Sequence, residues 1–156
     1  MSRSTRESIA DWLMVLGAAG LFGSLFLTWS HQFSPAFLAE FAGLGALSAT
    51  PRNPTAWQVY SVADGLLALV AGGLAAVALR GRRPGRVVLL LALAIALAFT
   101  LHALSHPPTN GALLSNTAPG GPSYFPNSPG AGIGETVAIV ALVLGIAGLS
   151  LSFTAD

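Results

Sequence analysis

Four apolar runs of about twenty residues each dominate the sequence and limit what the chain can fold into. An α-helix rises about 1.5 Å per residue, so each run is long enough to cross a hydrocarbon layer of about 30 Å. The runs predict membrane spans at about 9–29, 56–79, 87–104 and 133–153. We therefore expect residues 1–156 to form a single all-α membrane domain, an antiparallel bundle of four transmembrane helices.

The composition agrees with a lipid environment. Apolar residues make up 53% of the 156 residues and charged residues only 8%, whereas a soluble domain carries about a quarter charged residues. The chain has no cysteine, which excludes disulfides, thiolate metal sites and cysteine nucleophiles. It also has no nucleophile elbow, phosphate loop, dinucleotide fingerprint or zinc-protease helix. We therefore predict a protein that is not an enzyme.

The arginines predict how the chain is oriented. Four of them lie within residues 80–86, between the second and third spans, and Arg3 and Arg6 precede the first span. Short arginine-rich segments stay on the cytoplasmic side of a membrane. Both termini are therefore predicted to be cytoplasmic at the plasma membrane, with outer loops at 30–55 and 105–132. Nucleic-acid binding is the rival explanation of the cluster, but topology explains it fully, so no nucleic-acid partner is expected.

A short helix is predicted in the first outer loop. Ser34 and Pro35 are a favourable helix start, with a capping hydroxyl followed by a proline in the first turn. Apolar side chains then recur at helical spacing, at Phe37, Leu38, Phe41 and Leu44. Such an amphipathic helix would lie on the membrane surface or cover the bundle. A patch that binds a partner protein is the alternative.

Asp64 is the one carboxylate well inside the second span. Every fourth residue after it is small, at Ala68, Gly72 and Ala76, so we expect these residues to share one helix face. In lipid, a small-residue face is where a neighbouring helix packs closely, which would turn Asp64 into the bundle. Gly145 and Gly148 form part of a similar face on the fourth span.

An ionisable residue inside a membrane is costly, so Asp64 needs an explanation. The structural explanation, which we favour, is a hydrogen bond to a facing backbone group or to one of four side chains: Trp57, Tyr60, Ser24 or Thr28. The functional one is proton exchange with His102. Transport through a single protomer is disfavoured because the inner halves of spans two to four carry no ionisable residue. Glu135, near the start of the fourth span, is explained by solvation and by the positive end of the helix dipole.

His102 and His106 are four residues apart and therefore lie on one helix face, which Ala94 and Ala98 continue inward. By the same argument as for Asp64, His102 is expected to face the bundle. Two histidines and a carboxylate from another helix would suit Zn, Cu or Ni, so a transition-metal site is one hypothesis. A helix end where histidines meet water and head groups is the other.

Several short segments resemble a family of small four-span membrane proteins of actinobacteria and related high-GC bacteria. The segments are Leu25-Phe26-Leu27-Thr28-Trp29, the stretch from Ala56 to Asp64, Leu101-His102-Ala103-Leu104 followed by Pro107-Pro108, and Gly130-Ala131-Gly132-Ile133-Gly134. The resemblance covers the four spans but neither outer loop. The proline usual in the first segment is replaced here by Thr28. The resemblance implies the four-span topology and a prominent role for Asp64, but no reaction.

The sequence thus favours a non-enzymatic integral membrane protein, an accessory or structural subunit that packs against other membrane proteins or a second copy. The predicted partners are membrane lipids and such proteins, and no cofactor is required. The alternative is a membrane protein with a small-ligand or transition-metal site in the outer half of the bundle. That site would involve Asp64, His102, Trp57 and Tyr60, with His106 as a further metal ligand.

Overall fold

Four helices of 20 to 22 residues make up most of the described chain: α1 (Arg3–Ser24), α4 (Ser61–Arg80), α5 (Arg86–Ser105) and α6 (Ile133–Thr154). Shorter elements lie between them: β1 (Ser30–His31), α2 (Pro35–Phe41), α3 (Ala56–Val59) and β2 (Gly130–Ala131). The computed structural model describes residues 3–41, 52–80, 85–108 and 129–154. Leu44 lies outside these residues. So do most of the predicted arginine-rich turn and most of the second predicted outer loop.

Three helical stretches of the described chain are long and apolar enough to cross a membrane: Val62–Arg80, Arg86–Ser105 and Ile133–Thr154. Helix α1 is as long as α6 but less apolar, since Arg6, Glu7 and Asp11 lie near its beginning. The all-α character and the membrane-type composition of the long helices therefore agree with the prediction.

Two helix boundaries differ from the predicted spans. Helix α1 ends at Ser24 rather than near residue 29, because the amides of residues 25–27 bond to carbonyls three residues earlier and the chain then becomes extended. The second predicted span is divided at Tyr60, which has non-helical backbone angles. The short α3 before it is capped at its N-terminus by Gln58, whose side-chain oxygen accepts a hydrogen bond from the Thr55 amide at 3.0 Å.

Helices α1 and α6 pack antiparallel and form the closest helix pair. A Cβ atom on Gly17 would lie 2.8 Å from the carbonyl oxygen of Ala141 and from the amide nitrogen of Gly145, and one on Gly148 would lie 2.8 Å from the carbonyl of Ala10. Glycine therefore allows the two backbones to touch. Around the bundle, α4 packs on α1 and α5 packs on α6, while α4 and α5 contact each other only slightly.

The buried face of α4 differs from the predicted small-residue face. Asp64 is buried, but Gly72 and Ala76 are exposed, and no neighbouring atom of the described residues lies within 4 Å of a Cβ placed on Gly72. The residues that share the buried side with Asp64 are Leu67, Ala71 and Leu74. The reason is geometric: with about 3.6 residues per turn, a step of four residues rotates by about 40° more than a full turn, so the stripe leaves the interface. A set of residues spaced alternately by three and four positions stays on the buried side of the helix.

A small β structure joins the end of α1 to the starts of α3 and α6, at the end of the bundle away from the start of α5. Its central segment, residues 28–32, lies between residues 130–131 on one side and residues 52–55 on the other. On one side, Ser30 and His31 of β1 pair with Ala131 and Gly130 of β2. On the other, the amide of Trp29 donates to the carbonyl of Pro54 at 3.0 Å and Thr28 forms a bridge with Thr55. The starts of α3 and α6 are thereby tied to the segment that follows α1.

Candidate functional site

Trp29 is the centre of a buried cluster beneath the β structure. Its side chain is fully buried, and its indole N–H donates to the carbonyl oxygen of Ser24 at 2.7 Å. The ring meets Tyr60 edge to face, with centroids 6.0 Å apart, and Tyr60 in turn meets Phe99 of α5 at 5.2 Å. On its other side the indole packs against Gly134 at the start of α6. The cluster therefore joins the end of α1 to α4, α5 and α6.

Asp64 lies one helical turn after Tyr60, and its amide donates to the Tyr60 carbonyl at 3.3 Å. The side chain is 0% exposed, and neither carboxyl oxygen has a hydrogen-bond partner within the residues that the structure describes. The expected structural bonds are not formed. Ser24 Oγ instead donates to the Leu21 carbonyl at 2.7 Å, and Trp57 is 42% exposed with its ring against Phe26. Among the described residues, this carboxyl group is held by packing alone.

Glu135 is a second buried carboxyl group, at the third position of α6. It is also 0% exposed, and both of its carboxyl oxygens lack a hydrogen-bond partner in the described part of the chain. A glutamate at this position commonly accepts from the amide just before the helix. The Gly132 amide does lie near this carboxyl group, but it donates to the Trp29 carbonyl at 3.0 Å instead. The amide that would usually bond to a glutamate at this position, that of Gly132, is thus bonded within the β structure.

The pKa of Tyr60 is affected by both carboxyl groups. It lies just before the apolar stretch Val62–Arg80, at the break between α3 and α4. Burial, and then the nearby carboxyl groups of Glu135 and Asp64, raise the pKa of Tyr60 to about 12. Both carboxyl groups therefore lie near the same phenol, although they come from different helices.

Glu135 and Trp29 are the site residues that sequence reasoning missed. Solvation at a helix end was the expected explanation for Glu135, but this residue is fully buried. The available signal was the position of the short segments singled out in the sequence, because three of them meet here. They contribute Trp29, then Tyr60 and Asp64, and finally Gly134 just before Glu135.

His102 does not face the bundle, which corrects the expectation from its spacing. Ala94, Ala98 and His102 are all exposed, and the buried side of α5 carries Leu93, Ala96, Thr100 and Ala103 instead. Helix α5 is apolar on every side, so its sequence does not mark an inner face. His102 and His106 stack on each other with ring centroids 4.7 Å apart, both exposed.

The structure therefore separates the predicted metal ligands, since Asp64 is buried and the two histidines are exposed. Within residues 3–41, 52–80, 85–108 and 129–154, no three histidine, aspartate or glutamate side chains are arranged to hold a metal ion. The predicted site of His102 and His106 together with Asp64 is therefore not assembled in the described chain, and whether the protein binds a transition metal stays a prediction.

Arg86 occupies the opposite end of the bundle. It begins α5, is largely buried, and donates through Nη1 to the Ser152 carbonyl of α6 at 3.4 Å. It is also close enough to Asp11 of α1 to interact with it electrostatically. The first residue of α5 is thus held between α1 and α6, at the end of the bundle away from Asp64 and Glu135.

Comparison with protein-family models, with curated proteins and with solved structures finds no match for this chain.

Proposed function

We propose that this chain is a non-enzymatic, four-pass plasma-membrane protein that binds a small cation at Asp64 and Glu135. The observation that carries the proposal is the pair of fully buried carboxyl groups without hydrogen bonds in the described chain. Buried polar groups in proteins are nearly always paired, and an ionisable group inside a membrane is costly and marks functional sites. A proton or a metal ion would satisfy each carboxyl group.

The packing of α1 supports four spans. Along α1, Ala10, Gly17 and Gly20 meet Gly148, Gly145 and Ala141 of α6 in turn. Helix α1 therefore runs alongside α6 through the same depth and in the opposite direction, so the two termini lie at one end of the bundle. Arg86, next to Asp11 and Ser152, lies at that same end. The positive-inside rule favours this end as the cytoplasmic one, and the carboxyl site would then lie in the outer half.

The chemistry of the site restricts the cation. Carboxylate and phenol oxygens, which Asp64, Glu135 and Tyr60 supply, suit protons and hard cations such as Na⁺, Mg²⁺, Ca²⁺ or Mn²⁺. Zn²⁺, Cu²⁺ and Ni²⁺ favour imidazole, which only the exposed pair His102 and His106 would offer.

Thermal unfolding of the purified protein in mild detergent tests the proposal. The parent, Asp64→Asn and Glu135→Gln are compared with Glu40→Gln, which removes an exposed carboxyl group. Each is heated with a chelator, with each hard cation, and over a range of pH. A metal site requires a cation that stabilises the parent and Glu40→Gln but neither site variant. A proton site requires a pH dependence that the site variants lose. Identical behaviour of all four proteins excludes both.

The exposed histidines are tested in the same experiment with Zn²⁺, Cu²⁺ and Ni²⁺. Stabilisation that disappears in the His102→Ala/His106→Ala double variant, but persists in Asp64→Asn, would assign a separate transition-metal site to this pair.

A second candidate function is that of an accessory or structural subunit in a membrane complex. The observation that favours it is the uncovered small-residue face of α4. Ala68 and Gly72 line an open groove of about 370 Å³ between α1 and α4, whose other walls include Val15 and Phe22. In lipid, such a face is where another helix can approach closely.

A photo-crosslinking residue at Gly72 tests the subunit proposal in native membranes, with the same residue at the exposed Val143 of α6 as control. A discrete adduct formed from position 72 and not from 143 supports a partner or a second copy at this face. A monomer without adducts in native membranes argues against the subunit role.

A further inference from the structure

Helices α4 and α5 leave an open apolar cleft between them. They follow each other closely in the chain, yet a cleft of about 640 Å³ lies between the first half of α4, from Ala63 to Val70, and most of α5. Its lining is apolar or glycine throughout, with Leu66 and Val70 on α4 and Val88, Ala92 and Phe99 on α5. Several of these side chains are strongly exposed, Val88 at 70% and Ile95 at 71%. The cleft extends along α5 from Gly85 to Phe99, about 21 Å at 1.5 Å per residue.

Positive charge lies at one end of this cleft. Arg80, the last residue of α4, is exposed and follows Leu66 and Gly73 at steps of seven residues, so the three share a helix side. Leu66 lines the cleft, and a Cβ on Gly73 would lie 3.3 Å from Leu89 of α5. Arg80 therefore lies on the cleft side of α4. No acidic residue occurs in α4 after Asp64, nor anywhere in α5.

The size of the cleft is suited to a narrow occupant. The cleft has about 640 Å³, which is in the range of small-molecule sites, about 300–1,000 Å³. An acyl chain is narrow enough to enter it from the side.

We propose that the cleft between α4 and α5 binds an acyl chain of an anionic phospholipid whose phosphate is held by Arg80. Basic groups at the end of an apolar groove between membrane helices are suited to anionic head groups, and the charge at Arg80 complements such a head group. The proposal rests on the membrane location in the proposed function, but not on the cation site. A lipid bound here would replace the missing contact between α4 and α5.

Native mass spectrometry of the detergent-purified protein tests this, with phosphatidylglycerol and phosphatidylcholine that carry the same acyl chains. Ala92→Phe and Val88→Trp each fill the cleft, and Arg80→Gln removes the charge. Val143→Phe on the exposed side of α6 and Arg6→Gln on α1 are the matched controls. Size-exclusion chromatography and thermal unfolding establish that each variant is folded.

We expect one tightly bound phosphatidylglycerol in the parent and in both controls, with weaker phosphatidylcholine binding. Arg80→Gln should weaken phosphatidylglycerol binding about fivefold, the effect of one basic residue near an anionic surface, and leave phosphatidylcholine unchanged. Folded Ala92→Phe and Val88→Trp should lose both adducts.

Three results would overturn the proposal: equal binding of the two lipids by the parent, unchanged phosphatidylglycerol binding in both cleft-filling variants, or a dimer of the parent that these variants dissociate. The last would identify a second copy as the occupant. Asp64→Asn and Glu135→Gln should bind phosphatidylglycerol like the parent, so failure of the cation site and failure of the lipid site are observed separately.

Discussion

The α-carbon of Gly134 packs against the indole ring of Trp29. A Cβ atom there would lie 2.7 Å from the indole nitrogen, a distance that real Cβ contacts do not reach. The Gly134 amide also donates to the Thr28 carbonyl at 2.8 Å, which holds the start of α6 against the segment after α1. Because Glu135 follows directly, this contact fixes the position of a buried carboxyl group.

Gly134→Ala should therefore destabilise the protein. The added methyl group must displace a fully buried indole, and overpacking of this kind costs about 1–3 kcal/mol. Thermal or denaturant unfolding in detergent measures the loss. Gly72→Ala is the matched control, since its methyl group meets no atom of the described chain within 4 Å. It should be neutral or stabilising by up to about 1 kcal/mol through helix propensity. Equal effects at both positions would contradict the Trp29 contact.

Replacing Glu135 by methionine should stabilise the protein in the absence of metal ions. The substitution keeps the approximate length of the side chain and removes a buried polar group without a hydrogen bond, whose desolvation costs about 1–3 kcal/mol. Unfolding at neutral pH with a chelator gives the measurement, and Glu40→Met at an exposed position is the control. Destabilisation specific to Glu135→Met would mean that this carboxyl group has a structural partner after all.

The phenol of Tyr60 should titrate near pH 12. The chain has two tyrosines, so a Tyr124→Phe background isolates Tyr60, and the ultraviolet absorbance of tyrosinate follows its ionisation. In Asp64→Asn/Glu135→Gln the pKa of Tyr60 should fall but stay above 10, because burial is the larger cause of the shift. A pKa of 10 in the folded Tyr124→Phe protein would contradict the buried cluster.

The same shift predicts a loss of stability in alkali. The folded state favours the neutral phenol, so the contribution of Tyr60 is complete below its unfolded pKa of about 10 and is lost as the pH rises through about 12. Unfolding of Tyr124→Phe should show this decline. Tyr124→Phe/Tyr60→Phe should be less sensitive to pH over that interval, and an unchanged profile would show that Tyr60 does not contribute.

His31→Cys/Gly130→Cys should form a disulfide. A Cβ on Gly130 would lie 4.0 Å from the Cβ of His31, within the usual range of about 3.5–4.5 Å. The chain has no other cysteine, so mobility on a non-reducing gel reports this bond alone. With oxidant in detergent, bond formation tests the pairing of β1 with β2. The two single-cysteine variants are the controls, and a protein that stays reduced under oxidant would contradict the pairing.

The same pair of cysteines reports on sidedness when the protein is made in a bacterium with an oxidising periplasm. Spontaneous oxidation in intact cells is expected if β1 and β2 lie outside the cytoplasm. A pair that oxidises readily in detergent but stays reduced in cells would place this end of the bundle inside and reverse the proposed orientation.

The sequence alone determined that the chain is mostly helical and where the long apolar helices approximately lie, because length and hydropathy are properties of single segments. It also marked Asp64 as unusual. It did not determine which side of α4 or α5 is buried, since the sequence of a helix that is apolar all round does not indicate which side packs against its neighbours. For this reason the predicted face of Gly72 and Ala76 and the predicted inward His102 both proved to be exposed.

Only the tertiary structure decided how the ends of the helices meet. The β structure formed by residues from three distant segments brings Trp29 onto Gly134 and occupies the Gly132 amide. These contacts leave Glu135 buried near Tyr60, as Asp64 is, although Glu135 and Asp64 are separated by more than seventy residues of sequence. Local pattern determines whether a segment is a helix. Which polar groups are left without partners depends on long-range packing, because a hydrogen bond made in one segment removes a donor from another.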